Sequence, residues 1–353
     1  MTSTSPNRQI LIVQPNSKEA TIEVYDTNSP ESSEKAPEIL ELPNSLLTLG
    51  NNALQIVEWS ANNRQVLVKN QLGKRSEFIV LDIQDISRSF NVNQRFDVRP
   101  VEVSLFDQRA SSFYMRLPDD SLVRANTQPR NLEIVADEVL AFKSYGNEQV
   151  LYAAATNRSS TDKVSVFVHR GDQSYKIREL PVAKKYLLDI ARYENHWNVV
   201  MGSSNDDHVY MYQDPVETLT SGDANRVMIV RSMRINQPQH VSFSENAQFI
   251  AAQSAGNFVV YDNFQSRQFV YKIDSPFDDN KFATWMDGYR LTNISGGTVV
   301  VFDFDGTNYQ TLSPALPGSR VLFNGNYQQM FTLGTNADKK APFALTQTKL
   351  RVE

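Results

Sequence analysis

The near-regular return of short β-type runs constrains this chain more than any other feature. Runs rich in Val, Ile, Phe and Tyr alternate with Asn, Asp, Gly and Ser: Gln9–Gln14, Thr21–Tyr25, Gln65–Lys69, Glu77–Asp82, Lys163–His169, His208–Tyr212, Phe258–Tyr261 and Thr298–Phe302. Branched and aromatic side chains suit a pleated sheet, and Asn, Asp and Gly suit the tight turns between strands. Helical periodicity is nearly absent. Ile83–Ser89 and Val182–Tyr193 have some helical character, but both are short and flanked by strand signals, so neither is read as a helix.

The runs form a repeat. Val57–Val68, Val241–Ala251 and Phe282–Leu291 each read as an apolar strand that ends in an aromatic, a polar turn built on Asn or Asp, and a second apolar strand. A third strand then often ends in Asp, as at Asp26, Asp82, Asp262 and Asp303, and a fourth follows, as at Phe269–Ile273 and Tyr309–Leu312. Eight such units fit, at about 8–43, 54–96, 99–135, 138–181, 185–236, 239–275, 280–313 and 319–352. Their spacing of about 44 residues matches a β-propeller blade. Radial repetition also leaves only short, protected sheet edges. The expected fold is all-β: a single domain over 1–353, a β-propeller of eight four-stranded antiparallel blades. Seven blades is the alternative, because no good innermost strand precedes Ser5 and strands from both ends could share a blade.

The strand–turn–strand motif resembles the WD40-like repeats of TolB-type propellers. The copies that carry the likeness are Ser5-Pro6-Asn7-Arg8, Trp59-Ser60-Ala61-Asn62 and Phe243-Ser244-Glu245-Asn246. Repeats three, four and five (Phe106–Asp107, Phe142–Gly146, Tyr193–Asn195) keep the period and lose the motif. Ile22–Thr27 and the end Lys349–Glu353 are also similar to the propeller region of bacterial PEGA-domain surface proteins. That likeness implies a cell-envelope setting, so an extracytoplasmic or cell-surface location is expected, with the cytoplasm as the other possibility.

Composition narrows the chemistry. The 353 residues contain no cysteine, which removes disulfides, thiolate metal ligands and a cysteine nucleophile. The formal charge of −5 argues against a nucleic-acid binder, which would show a basic stripe. Lys184-Lys185, Lys339-Lys340, Arg64 and Lys74-Arg75 are scattered and read as turn charges. The polar start Met1–Arg8 has no signal-peptide pattern. The longest apolar runs, such as Ile10–Val13 and Val299–Phe302, fall far short of the ~18 residues of a membrane helix. Ser29–Lys35 and Asn336–Ala341 read as mobile polar insertions between strands.

The histidines, His169, His196, His208 and His240, show no metal-ligand spacing. His208 follows Asp206 and Asp207, a set that could serve acid–base or binding chemistry, although Asn205-Asp206-Asp207 is also ordinary turn chemistry. Asp303 and Asp305 precede Gly306 as in the start of a calcium loop, but the later ligands are missing and an Asp-Gly hairpin explains them as well. Asp119-Asp120 and Asp278-Asp279 are adjacent acids in turns that point apart. Trp59 and Trp285 hold equivalent repeat positions and are expected in the core, whereas Trp197 is the least regular tryptophan. There is no Gly-x-Ser-x-Gly elbow and no Gly-rich phosphate loop.

The expectation is a non-catalytic, monomeric binding or scaffold propeller without a cofactor, which engages a protein or glycan partner. Asp206, Asp207, His208 and Trp197 are its candidate binding residues, and Asp303 and Asp305 its candidate metal ligands. The alternative is a propeller glycosidase or lyase using acids and His at a channel mouth.

Overall fold

The structure, a computed structural model, describes residues 2–14, 20–27, 36–50, 53–106, 108–145, 149–155, 163–222, 227–274, 277, 281–335 and 343–350. The expected insertions 29–35 and 336–341, and the acidic pair Asp278-Asp279, lie outside the described residues.

The described residues form eight antiparallel sheets, and in each the strands neighbour one another in chain order. The fold class is the expected eight-bladed β-propeller. The first blade comprises Thr2–Thr4, Ile10–Val13, Thr21–Asp26 and Glu38–Glu41, and the second Gln55–Trp59, Gln65–Leu72, Arg75–Asp82 and Phe90–Asn91. Blade three runs from Glu102 to Ala136, blade four from Val139 to Pro181, blade five from Tyr186 to Arg234, blade six from His240 to Lys272 and blade seven from Thr284 to Pro314. The eighth contains Leu322–Phe323, Gln329–Thr335 and Phe343–Lys349. Thr2–Thr4 pairs with Ile10–Val13 in a sheet of its own, so no blade is shared and the seven-blade alternative falls. No helix among the described residues is long and apolar enough to cross a membrane.

The discounted helical segments divide. Val182–Tyr193 carries the strand Tyr186–Tyr193, as read, but Ile83–Ser89 contains a 3₁₀ turn, Ile86–Arg88. Two short helices went unseen, Val92–Phe96 and Pro215–Thr220. The first has Asn91 as its cap, with the side chain accepting from the Gln94 N–H, and buries Val92 and Phe96 one turn apart.

Two compact units are present: residues 1–136 with 314–353, and residues 137–313. Within the first, blades one and two are apolar on both faces. Ile12, Val66, Val68, Ile79 and Leu81 meet in one layer, and Leu67, Phe78, Val80, Val103, Phe113 and Met115 in the next. Leu11 and Val13, on the opposite face of the first blade from Ile12, pack on Phe331 of the eighth. In the second unit, Val199 and Met201 face blade four, while Val200, Val209 and Met211 face blade six. Strand alternation therefore lets one middle strand feed two layers, as in blades one, two and five.

A recurring turn sets the hairpin between first and second strands. At Ser5, Ser60 and Ser244 the hydroxyl donates to the Asn two residues on and accepts the N–H five residues on. A fourth copy uses Asn324, which accepts from the Gln329 N–H at 3.0 Å. Each turn places a non-glycine residue in the left-handed region: Arg8, Asn63, Ala247 and Tyr327, with φ of 56° to 58°. That conformation costs roughly 1–2 kcal/mol per residue, which the side-chain bonds of the turn offset.

Successive innermost strands are tied in the same repeated manner. The Trp59 indole N–H donates to Ser3 Oγ at 2.9 Å, and that of Trp285 to Ser242 Oγ at 3.1 Å. Both tryptophans thus occupy the equivalent structural positions expected of them, although Trp285 keeps partial exposure.

One buried carboxylate anchors the connection between blades one and two. Glu77 accepts from the backbone N–H of Thr48 and Leu49, both at 3.1 Å, from the Thr48 hydroxyl, and from the amides of Asn70 and Asn91, both at 2.8 Å. A fully buried carboxylate is tolerated only when its oxygens are satisfied in this way. Glu77→Ala would strand several buried donors at once. It is expected to lower unfolding stability by about 3 kcal/mol in urea titration, while the exposed-face change Glu133→Ala stays within about 0.5 kcal/mol.

Candidate binding surfaces

Blade five holds the residues singled out in the sequence, but splits them. Asp206, Asp207 and His208 lie together in the turn between its second and third strands, with one ligand atom of each within 4.8 Å of the others. His208 Nδ1 lies 2.5 Å from Asp207 Oδ1, a bond that holds the Asp207 carboxyl below its usual range. Asp206 Oδ1 accepts the Asp207 N–H, and the two backbone carbonyls accept from Gln237 and Ile235. Behind them the His208 ring stacks on Tyr210, and the Arg178 guanidinium of blade four covers Tyr210 at 3.4 Å.

Trp197 does not join that group. It opens the strand His196–Ser203, whereas Asp206 follows the strand's far end, roughly 20 Å away at the rise of a β-strand. Trp197 is 7% exposed, packs edge-on against Tyr145 at 5.3 Å, and belongs to the layer between blades four and five. Its indole is core, and the irregular repeat position reflects a different neighbour: Asp214, whose carboxylate accepts the Trp197 N–H and contacts His196.

Asp303 and Asp305 turn inward on their own hairpin. Asp303 Oδ2 accepts from the Asn308 amide at 2.6 Å, and Asp305 Oδ1 accepts the N–H and hydroxyl of Thr307. Gly306 sits at the tip with φ of 82°, against the Tyr271 ring, where no β-carbon fits. One oxygen of each carboxylate is thus engaged in the turn.

Three other features were not visible in the sequence. Phe264 projects from the turn after the third strand of blade six and is 72% exposed. The turn is held by the wholly buried Asp262, whose Oδ1 accepts the Phe264 N–H at 2.8 Å, the Gln265 N–H at 3.2 Å and the Gln248 amide at 3.1 Å. Tyr289, in the first turn of blade seven, is 53% exposed and rests on Phe249.

The second feature is a cleft of about 860 Å³ between blades two and three. Arg88 reaches it from the 3₁₀ turn, Arg95 from the helix Val92–Phe96, and Arg109 from the first hairpin of blade three. Among the described residues, none that line it is acidic. Convergence of residues 7 and 14 apart, from three different elements, leaves no signal in a linear sequence.

The third lies on the first strands of the second unit. His240 stacks face to face on Phe282 at 5.1 Å, the Lys185 ammonium lies 5.3 Å from the same ring, and Lys143 contacts Asp189 at 3.7 Å. Burial, aided by the charges of Lys185 and Lys143, pushes the His240 imidazole down to about 4.

No known protein family matches the chain, and neither does any curated protein sequence. Solved structures do. Porphyromonas gingivalis dipeptidyl peptidase 4 aligns with 99% of this chain and 57% of its own length, at 13% identity and a TM-score of 0.61. The Dos1 propeller aligns over 94% of this chain and 88% of its own, at 11% identity and 0.55. The β-propeller domain of Myceliophteria thermophila Cps50 (Swd1) aligns over 87% and 93%, at 12% identity and 0.50.

The chain has a WD40-like β-propeller fold. At such low identity the likeness speaks for the fold alone.

The propeller's His240 cluster makes a pH prediction. The unfolded imidazole titrates near 6.5, and the folded one near 4. Between those values the unfolded chain binds the extra proton, so stability falls as pH drops through that window and levels off below it. Relative to His240→Gln, the wild-type chain is expected to lose up to about 3 kcal/mol more between pH 7 and pH 4, read from urea unfolding at each pH. Parallel curves for the two proteins would contradict the assignment.

Proposed function

We propose that this chain is a non-catalytic binding propeller that docks a protein partner, in an extracytoplasmic or cell-surface setting. The location, and any closer kinship with TolB-type or PEGA-associated propellers, rests on the sequence resemblances alone.

Phe264 carries the reading. The same Asx turn stands in blade two, where Asp82 Oδ1 accepts the N–H groups of Gln84 and Asp85. There the residue matching Phe264 is Gln84, also exposed. The turn therefore has no structural need of an aromatic. A phenylalanine in water, on backbone fixed by a buried carboxylate, suits an interface anchor, because little ordering entropy is left to lose on docking. Tyr289 supplies a second exposed aromatic in the same unit.

The glycosidase or lyase reading keeps one observation in its favour, the approach of Asp206, Asp207 and His208. Turnover of a glycoside that disappears in Asp207→Asn would favour it over docking.

Affinity capture on the immobilised propeller, followed by titration of the purified partner, tests the docking reading. Phe264→Ser is expected to weaken binding at least about tenfold, or roughly 1.4 kcal/mol, with the thermal midpoint unchanged. Equal affinity of the two proteins for every captured partner would overturn it, as would capture of glycans only.

A further inference from the structure

The cleft between blades two and three is walled by turns from both. Blade two contributes its first hairpin, at Asn62 and Gln65, and the 3₁₀ turn Ile86–Arg88. Blade three contributes its own first hairpin, at Gln108, and the turn after its third strand, at Gln128. The Ala61 N–H donates to the Gln108 carbonyl at 2.9 Å and joins the two hairpins. Phe90, packed edge-on against Phe113 at 6.2 Å, and the buried Ala110 supply apolar surface.

The polar lining divides by task. Asn62 holds its hairpin by accepting the Arg64 N–H at 2.9 Å, and Ser89 accepts the Asp82 N–H at 2.9 Å. Gln108, Ser111 and Gln128 are exposed, and among the described residues their side chains form no hydrogen bond. Two carboxamides and a hydroxyl, none committed to the fold, therefore line one cleft. Each can donate and accept at once.

That chemistry selects a ligand class. A peptide is held chiefly by aromatic or apolar anchors seated in pockets. Ala61, Phe90 and Ala110 are the only apolar residues among the fourteen described ones that line this cleft. A neutral sugar is polar all round. Its hydroxyls both donate and accept, and a neighbouring pair of them matches the N–H₂ and C=O of a carboxamide. Its ring C–H groups need only a small apolar surface. Arg95, 5.5 Å over the Phe90 ring, adds N–H donors. The volume of about 860 Å³ lies within the ~300–1,000 Å³ of ordinary ligand sites.

We propose that this cleft binds a short neutral oligosaccharide, with hydroxyls on Gln108, Ser111 and Gln128 and ring C–H groups toward Phe90. None of these residues belongs to the Phe264 turn, so this site and the docking surface stand or fall independently.

Isothermal titration of the full chain with maltotriose, cellotriose and chitotriose, each up to about 10 mM, tests this. At least one is expected to bind with a millimolar Kd or tighter. Its affinity should be equal at low and high salt, because a neutral ligand is not screened. Gln108→Ala with Gln128→Ala should weaken binding at least about tenfold. Gln128→Glu, which exchanges the N–H₂ donor for a second acceptor, should fall between. Unfolding midpoints monitor the fold, and the glutamate variant keeps the test decisive if the double variant unfolds. Phe264→Ser should leave sugar binding unchanged. Failure of all three sugars to bind would overturn the proposal. Equal sugar affinity in wild type and the glutamine variants would overturn it too, by placing the sugar elsewhere. So would competition by a poly-glycine peptide as strong as the sugar's own binding, by showing a main-chain site.

Discussion

A short antiparallel sheet with two apolar faces cannot stand alone in water, and everything else in this propeller answers that constraint. The middle strands show it most plainly: Gln149–Ala154 is buried at every residue, and His196–Ser203 at every residue but the first. Side-chain alternation sends Val199 to one neighbour and Val200 to the other. Burial of both faces stabilises a blade only if another sheet covers each, at about 25 cal/mol for every Å² removed from water. Repetition follows from that requirement, and the period read from the sequence is its trace.

The polar groups then divide into those that the repeat needs and those that it does not. Ser5, Ser60 and Ser244 close the first hairpins, Asp82 and Asp262 hold the later turns, and Glu77 fixes a connection. Removing any of them leaves backbone or amide donors without those acceptors. Phe264 does nothing of the kind. It sits on a turn that would hold without it, and this is why it, rather than the more conspicuous acids, is read as a binding residue.

Sequence reasoning reached the architecture because blade signals are local. An aromatic, a polar turn and an apolar strand lie within a dozen residues, and the alignment of Trp59-Ser60 with Phe243-Ser244 describes the same turn in space. It missed Thr2–Thr4 because that strand has no apolar residue; its role is to present Ser3 to Trp59. It also missed the turn at Asn324, where Asn performs the work of Ser, and the helix at Val92, too short to show a period. The candidate site was legible only where it was contiguous. Asp206, Asp207 and His208 come together because they are neighbours in one turn. Exposure is settled by residues far along the chain, so Tyr145 could bury Trp197, and Asp262 could display Phe264, without any local mark.

The central claim is that the exposed aromatic stands on a turn rigid before any partner arrives. Amide hydrogen exchange of the free protein measures this directly. The Phe264 and Gln265 amides, bonded to the buried Asp262, are predicted to exchange as slowly as those of the adjoining strand Asn257–Asp262, despite the exposure of the side chain. Exchange at the rate of an open loop would contradict the account.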